Sequence, residues 1–240
     1  MHFHLPKPLH GWREFVGEVA IIVIGVLIAL LAEQTVRTLN DRSAAEEARN
    51  NIRAELAINI GRMQSADGRA ACKTRRLDQI AMFLSEARKG QSLSDVTWIG
   101  RPPVWDMDYT RWQSAAGSGR SSLFRSDEQA TIADIYSLMV DYQVEERAEQ
   151  EAWARLRGLV GLESLSDVRD ASLSDALQQA RYSAWALNID SKQAQEAAGQ
   201  LRIAGIPVSS TVSVSPLCIP TSAVRADALK RVGGEYGEPL

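Results

Sequence analysis

The residues best suited to chemistry are few and badly placed for it. All three histidines, His2, His4 and His10, lie within the first ten residues. Anything that folds after residue 11 therefore lacks an imidazole for acid–base work or metal ligation. His2 and His4 could make only a weak chelate near a chain terminus. Asp106 and Asp108 flank Met107. Two acids so spaced could grip a cation, but with no further ligand close by they read as turn and cap residues. Gly117-Ser118-Gly119 lacks the glycines two residues before and after the serine that a nucleophile elbow needs. Neither a phosphate loop nor a dinucleotide fingerprint is present. Carboxylate-only catalysis needs no motif, but a small helical domain is a poor candidate for it. The expectation is a protein that is not an enzyme and takes no cofactor and no metal.

The two cysteines, Cys72 and Cys218, are too far apart for a local metal motif. A lone buried thiol is often only a small hydrophobe. Their contexts are nevertheless complementary. Cys72 falls in a long helical segment beside its apolar stripe, and Cys218 lies in an extended stretch between Pro216 and Pro220. A disulfide would tether that stretch, would persist outside the cytoplasm, and could stabilise by up to ~4–5 kcal/mol in the chain-entropy account. A disulfide is the expected state.

These residues must be positioned by 240 residues with 45% apolar content, enough for a real core. The net charge of -3, from 27 Lys and Arg against 30 Asp and Glu, excludes a strongly basic nucleic-acid binder. Residues 19–32 form an uninterrupted apolar run, and extension back to Phe15 includes Glu18. Eighteen helical residues span roughly 27 Å, close to a bilayer's hydrocarbon thickness. A soluble core helix would show a polar face, which this run lacks. A cleaved signal peptide would not carry Glu14 and Glu18 ahead of the run, nor Leu30 where a small residue is needed. The reading is a retained transmembrane helix over 15–35, preceded by a short segment, 1–14.

Trp12 suits the headgroup level as an interfacial anchor, with Arg13 beside it. Glu18 either reaches back to the interface or pairs with a partner chain, since an unsatisfied acid in the bilayer is costly. Gly25 and Ala29 form a small-xxx-small pair that permits close helix contact. Lys7 and Arg13 precede the span, whereas Arg37, Arg42, Arg49 and Arg53 follow it. That count leans toward a cytoplasmic C-terminal part, but the rule weakens for long domains, and the cysteines argue for the opposite side. The expected location is a bacterial inner membrane, single-pass, with the bulk of the chain periplasmic.

The opening carries a resemblance. Gly11-Trp12-Arg13-Glu14-Phe15, Gly17-Glu18-Val19 and the run from Ile22 to Leu30, ending at Glu33-Gln34, resemble the start of a group of uncharacterised single-pass proteins of Gram-negative bacteria. Trp105 and the stretch from Trp112 to Gly119 are similar to a second block in such proteins. Together the blocks cover roughly a fifth of the chain. The resemblance implies an inner-membrane anchor with a helical extracytoplasmic part and brings no activity.

Beyond the span, a long helix is expected over 36–89. Ile52, Leu56, Met63, Ala66, Ala70, Leu77, Ile80 and Leu84 fall on a three–four spacing, interrupted by Asn59 and Lys73. That stripe suits either packing within its own domain or a coiled-coil seam with a second copy. A loop over 90–103 leads into Trp98, Trp105, Tyr109 and Trp112, which fill a core or line a ligand or partner surface. Ser126 reads as the cap of a helix over 126–159, with Gln129 completing a capping box. In that helix Glu145, Glu146, Glu149 and Glu151 read as a solvated face. A third helix over 172–204 has mostly small apolar positions, with Tyr182 and Trp185 supplying packing bulk at others, and ends at Gly205 and Pro207. An extended arm over 208–220, a short helix over 221–232 and a frayed tail over 233–240 complete the chain. The fold class is mostly α: a transmembrane helix followed by an antiparallel helical bundle, 36–232, with a short extended C-terminal arm. The partners expected are the lipid bilayer and other integral membrane subunits or a second copy, with no nucleic acid. The expected role is a membrane-anchored interaction or structural protein, an accessory subunit of a larger complex; the alternative is a ligand-binding or sensory helical module.

Overall fold

The fold is taken from a computed structural model that describes residues 11–208 and 216–218. It is mostly helical, with five α-helices and no strand among the described residues. The expected helix over 221–232, the tail and most of the arm lie outside those residues, as do the three histidines.

Helix α1 runs unbroken through Trp12–Asp67, 56 residues. Neither proline nor glycine falls between residues 26 and 60, so the backbone ladder continues past residue 35. The apolar run and the first domain helix are one element. The other end stops earlier than expected. Gly68 N–H returns to the Gln64 carbonyl and Arg69 N–H to the Ala66 carbonyl, both at 3.0 Å. This tight reset falls at the residue with the least helical preference after proline. Helix α2 (Ala70–Arg88) then begins, so the expected helix over 36–89 is corrected to two.

Helix α3 (Thr110–Gly117) is a short element the sequence did not disclose. Helix α4 covers Ser126–Leu156 and is followed by a 3-10 turn, Arg157–Leu159. Ser126 is its first helical residue; Arg125 holds the cap position and makes no side-chain cap, so the capping box is corrected. Helix α5 covers Asp167–Gln200, starting earlier than expected because the Ser166 hydroxyl accepts the Arg169 N–H. It ends before Gly205, where Arg202 turns to φ 56° and Ile203 N–H folds back to the Ala198 carbonyl. Pro216–Cys218, expected as extended, is a 3-10 turn.

Along α1 the described side chains are exposed up to Ser43, and Ala45 is the first buried one. Beyond it Ile52, Leu56, Ile60 and Met63 pack with Ile132, Ile135 and Met139 of α4 and with Leu187, Ala194 and Ala198 of α5. A second cluster joins Leu77, Ile80 and Leu84 of α2 to Trp153 and Leu156 of α4 and to Leu173, Ala176, Leu177 and Ala180 of α5. The stripe thus packs within its own fold and is not a coiled-coil seam. Small residues on α5 let it approach three helices at once. Glu145 to Ser183 and Arg155 to Asp175 fix α4 and α5 as antiparallel.

The segment after α5 lies directly on α1. Ile206 N–H donates to the Ala57 carbonyl at 2.8 Å, and a Cβ at Gly61 would overlap the Ile206 carbonyl. Gly61→Ala should therefore destabilise by about 1–3 kcal/mol through overpacking, although alanine ordinarily gains about 0.5–1 kcal/mol over glycine in a helix. Gly199→Ala, with open space around its Cβ, should instead raise the melting midpoint. Thermal melts of both variants check the opposite signs.

Candidate functional site

The region where polar and aromatic groups converge is built on α1. Glu55 is 5% exposed, next to Leu56 and one turn from Ile52 in the core. Its Oε2 accepts the Arg111 N–H at 2.8 Å, its Oε1 lies 3.4 Å from the Trp112 N–H, and the Tyr136 hydroxyl of α4 donates to it. One turn on, Asn59 is fully buried. Its Nδ2 donates to the Asp108 carbonyl at 2.7 Å and its Oδ1 accepts the Asp108 N–H at 3.1 Å. Arg62 extends the row by donating to the Asp106 carbonyl. Three successive turns of α1 thus grip the backbone of the loop before α3 and of the first turn of α3.

The side chains of that segment pack inward. Trp112 stacks on Tyr136 at 5.6 Å, and Tyr109 lies tilted against the same ring at 6.1 Å. The Tyr109 hydroxyl reaches the Met139 carbonyl and Gln143. Trp105 is half-buried, and its backbone N–H donates to Glu146 Oε1 at 3.2 Å. Trp98 stands apart, with the buried Arg76 guanidinium 5.2 Å from its ring. Trp105, Tyr109 and Trp112 pack against the first core cluster, while Trp98 covers the buried Arg76 guanidinium. Asp108 takes the turn role expected of it and not the cap, since Tyr109 holds the cap position of α3. Its Oδ1 accepts from the Thr110 N–H and hydroxyl, and those bonds hold its carboxyl below the usual range.

The acids of α4 require a correction. Glu146 is 5% and Glu149 1% exposed, so these two are not part of a solvated face, whereas Glu145 is half-buried and Glu151 exposed. Lys73 of α2 meets Glu149 at 2.8 Å. Burial pushes Glu146 up to about 7, opposed by the Trp105 N–H, and burial raises Glu149 against the pull of Lys73. Burial also raises Tyr136, with Glu55 adding to it. The sequence signal for these pairs was the position of Asn59 and Lys73 within an apolar stripe. Among the described residues no group of three His, Cys, Asp or Glu is arranged to hold a metal ion.

Cys72 and Cys218 are joined in a disulfide, their Cα atoms 4.9 Å apart across a sequence separation of 146. Beside it Leu217 is 3% exposed, its carbonyl 3.4 Å from the Arg76 guanidinium. Burial lowers Arg76 to about 10. At the other end of the molecule, Trp12 is 78% exposed with its ring 6.0 Å from Phe15. Glu18, Gly25 and Ala29 are exposed, and a Cβ at Gly25 would meet nothing within 4 Å. α1 is long and apolar enough to cross a membrane. No family model, curated protein or solved structure matches the chain, so its own geometry carries the functional reading.

Glu146 holds its proton more tightly folded than unfolded, where the ordinary value is 4.5. Its contribution is fully present below that value and is lost as pH rises through about 7. Glu146→Gln keeps the acceptor for Trp105 without the charge. The variant should match the parent at acidic pH and exceed it by about 1–3 kcal/mol above neutrality, read from urea midpoints across the pH series. Lys73→Met, by contrast, should cost about 3–5 kcal/mol by stranding Glu149, and Lys73→Met combined with Glu149→Leu should recover most of it.

Proposed function

We propose that the chain is a membrane-anchored, non-enzymatic interaction protein, an accessory subunit of a larger inner-membrane complex with its helical head in the periplasm. The observation that carries this reading is the division of α1. Residues 19–32 are apolar on all sides and no described part of the head buries them, while from Ala45 onward the helix is the spine of the head. Apolar surface of that extent is stable in lipid or against another apolar helix. The face of Gly25 and Ala29 suits close approach of a partner helix, and Glu18 would be satisfied there.

The disulfide supports the periplasmic side, because such bonds persist in oxidising compartments. The likeness of the opening to Gram-negative single-pass anchors agrees with this. A sensory or ligand-binding role would draw on Trp98, Trp105, Tyr109 and Trp112, whose packing against the protein's own helices favours the interaction reading.

Carbonate extraction with intact mass tests the anchor. The expected result is a full-length protein retained in the membrane; a soluble protein, or one shortened by its first ~32 residues as after signal cleavage, overturns it. Alkylation of freshly lysed, non-reduced protein should find neither cysteine free, and two alkylated cysteines would count against the periplasmic head. Gly25→Leu should release co-purifying membrane subunits while leaving the melting midpoint of the head unchanged.

A further inference from the structure

The α4–α5 pair carries an exposed aromatic groove that none of the foregoing uses. Tyr182 and Trp185 of α5, expected as packing bulk, are 56% and 60% exposed, and their rings are 5.7 Å apart. Val144 of α4 is 60% exposed opposite them. These three line a groove of about 440 Å³ together with Asp141, Glu145 and Asp190, and no lysine or arginine lines it. Arg181, the nearest basic residue in sequence to the ring pair, is turned to Asp78 of α2 at 3.0 Å. The three carboxylates feel one another: Asp190 is raised by partial burial first, then by Asp141 and Glu145. An apolar floor with a rim of one sign is complementary to an apolar ligand that carries cations, and exposed aromatic faces add cation–π attraction.

The position of the groove narrows the occupant. A small cleft that includes Asp67, Tyr142 and Leu187 sets this level of α4 and α5 beside the far end of α1. From Glu33 to there α1 rises roughly 50 Å, which places the groove well beyond the reach of lipid headgroups when α1 spans the bilayer. A two-fold contact of this face with its copy would set acids against acids. The channel between two antiparallel helices is shaped for a third helix.

We propose that this groove docks a lysine- or arginine-bearing amphipathic helix of a partner protein, its apolar side on Val144, Tyr182 and Trp185 and its cations on Asp141, Glu145 and Asp190. This deepens the interaction reading and rests on it, but peptide binding and membrane extraction are separate measurements, so either can fail alone.

The test uses the full-length protein in phosphatidylcholine nanodiscs and a fluorescent Leu/Lys amphipathic helical peptide, with its Leu/Glu counterpart as control. The expected result is saturable binding of the Leu/Lys peptide, weakened at least ~tenfold by Trp185→Ala and by Asp141→Asn combined with Asp190→Asn. The Leu/Glu peptide should not bind. Circular dichroism melts of the variants should match the parent, since Trp185 and Asp141 are exposed and Asp190→Asn keeps the shape of a half-buried side chain. Absence of Leu/Lys binding, equal binding by the variants, or binding of both peptides overturns the proposal. So does light scattering showing that Trp185→Ala dissolves a homodimer, since the face would then belong to a second copy.

Discussion

Placing the Glu55 carboxylate inside an apolar core costs several kcal/mol unless its oxygens are bonded, and the donors come from two other elements. Two are backbone N–H groups at the start of α3 and the third is the Tyr136 hydroxyl of α4. Satisfying one side chain therefore fixes the register of α4 along α1 and the height at which the aromatic segment crosses them both. Asn59 repeats the device one turn later with a two-way exchange to Asp108. A displaced loop would leave both groups buried and unpaired, so the loop is held although it lacks secondary structure of its own.

A second polar layer does the same work higher in the head. Lys73 and Glu149 tie α2 to α4, and Glu146 receives Trp105. The disulfide fastens Cys218 to the first turn of α2, and Leu217 beside it enters the second core cluster. A late stretch of chain is thereby secured to the helix that α5 already braces. The reset at Gly68 serves these contacts. It re-aims the helical path after the first core cluster so that α2 meets the second.

Much of this was legible in the residues and some could not be. The apolar run, the stripe from Ile52 to Leu84 and the complementary settings of Cys72 and Cys218 all depend on local pattern, and pattern is what a sequence displays. The break at Gly68 was hidden because a single glycine is tolerated within helices and only the packing beyond it decides. Glu146 and Glu149 read as solvated because four acids crowd a short stretch. Their burial depends on Lys73, 76 residues away, and on the Trp105 N–H from a loop. Tyr182 and Trp185 misled in the opposite sense, since large rings are usually inside. Their α5 neighbours Ala180, Ser183 and Leu187 already fill the inner face. Trp105, Tyr109 and Trp112 do pack against the first core cluster, but the buried Glu55 carboxylate that bonds the Trp112 N–H and the Tyr136 hydroxyl was not foreseen.

The stretch of α1 between its apolar run and Ala45 has a mechanical consequence. It is a bare helical rod, carrying on its own surface the Glu33–Arg37 pair and the Thr35 and Thr38 hydroxyls, which bond to carbonyls one turn back. Helices in lipid tilt by about 20° on average. With α1 across a bilayer as proposed, such a tilt acting on an arm of roughly 50 Å would sweep the tip of the head sideways by roughly 17 Å without altering a contact within it. Bilayer thickness, or the crossing angle with a neighbouring helix, would then set how far from its root the head can search, as a crane jib is steered from its base.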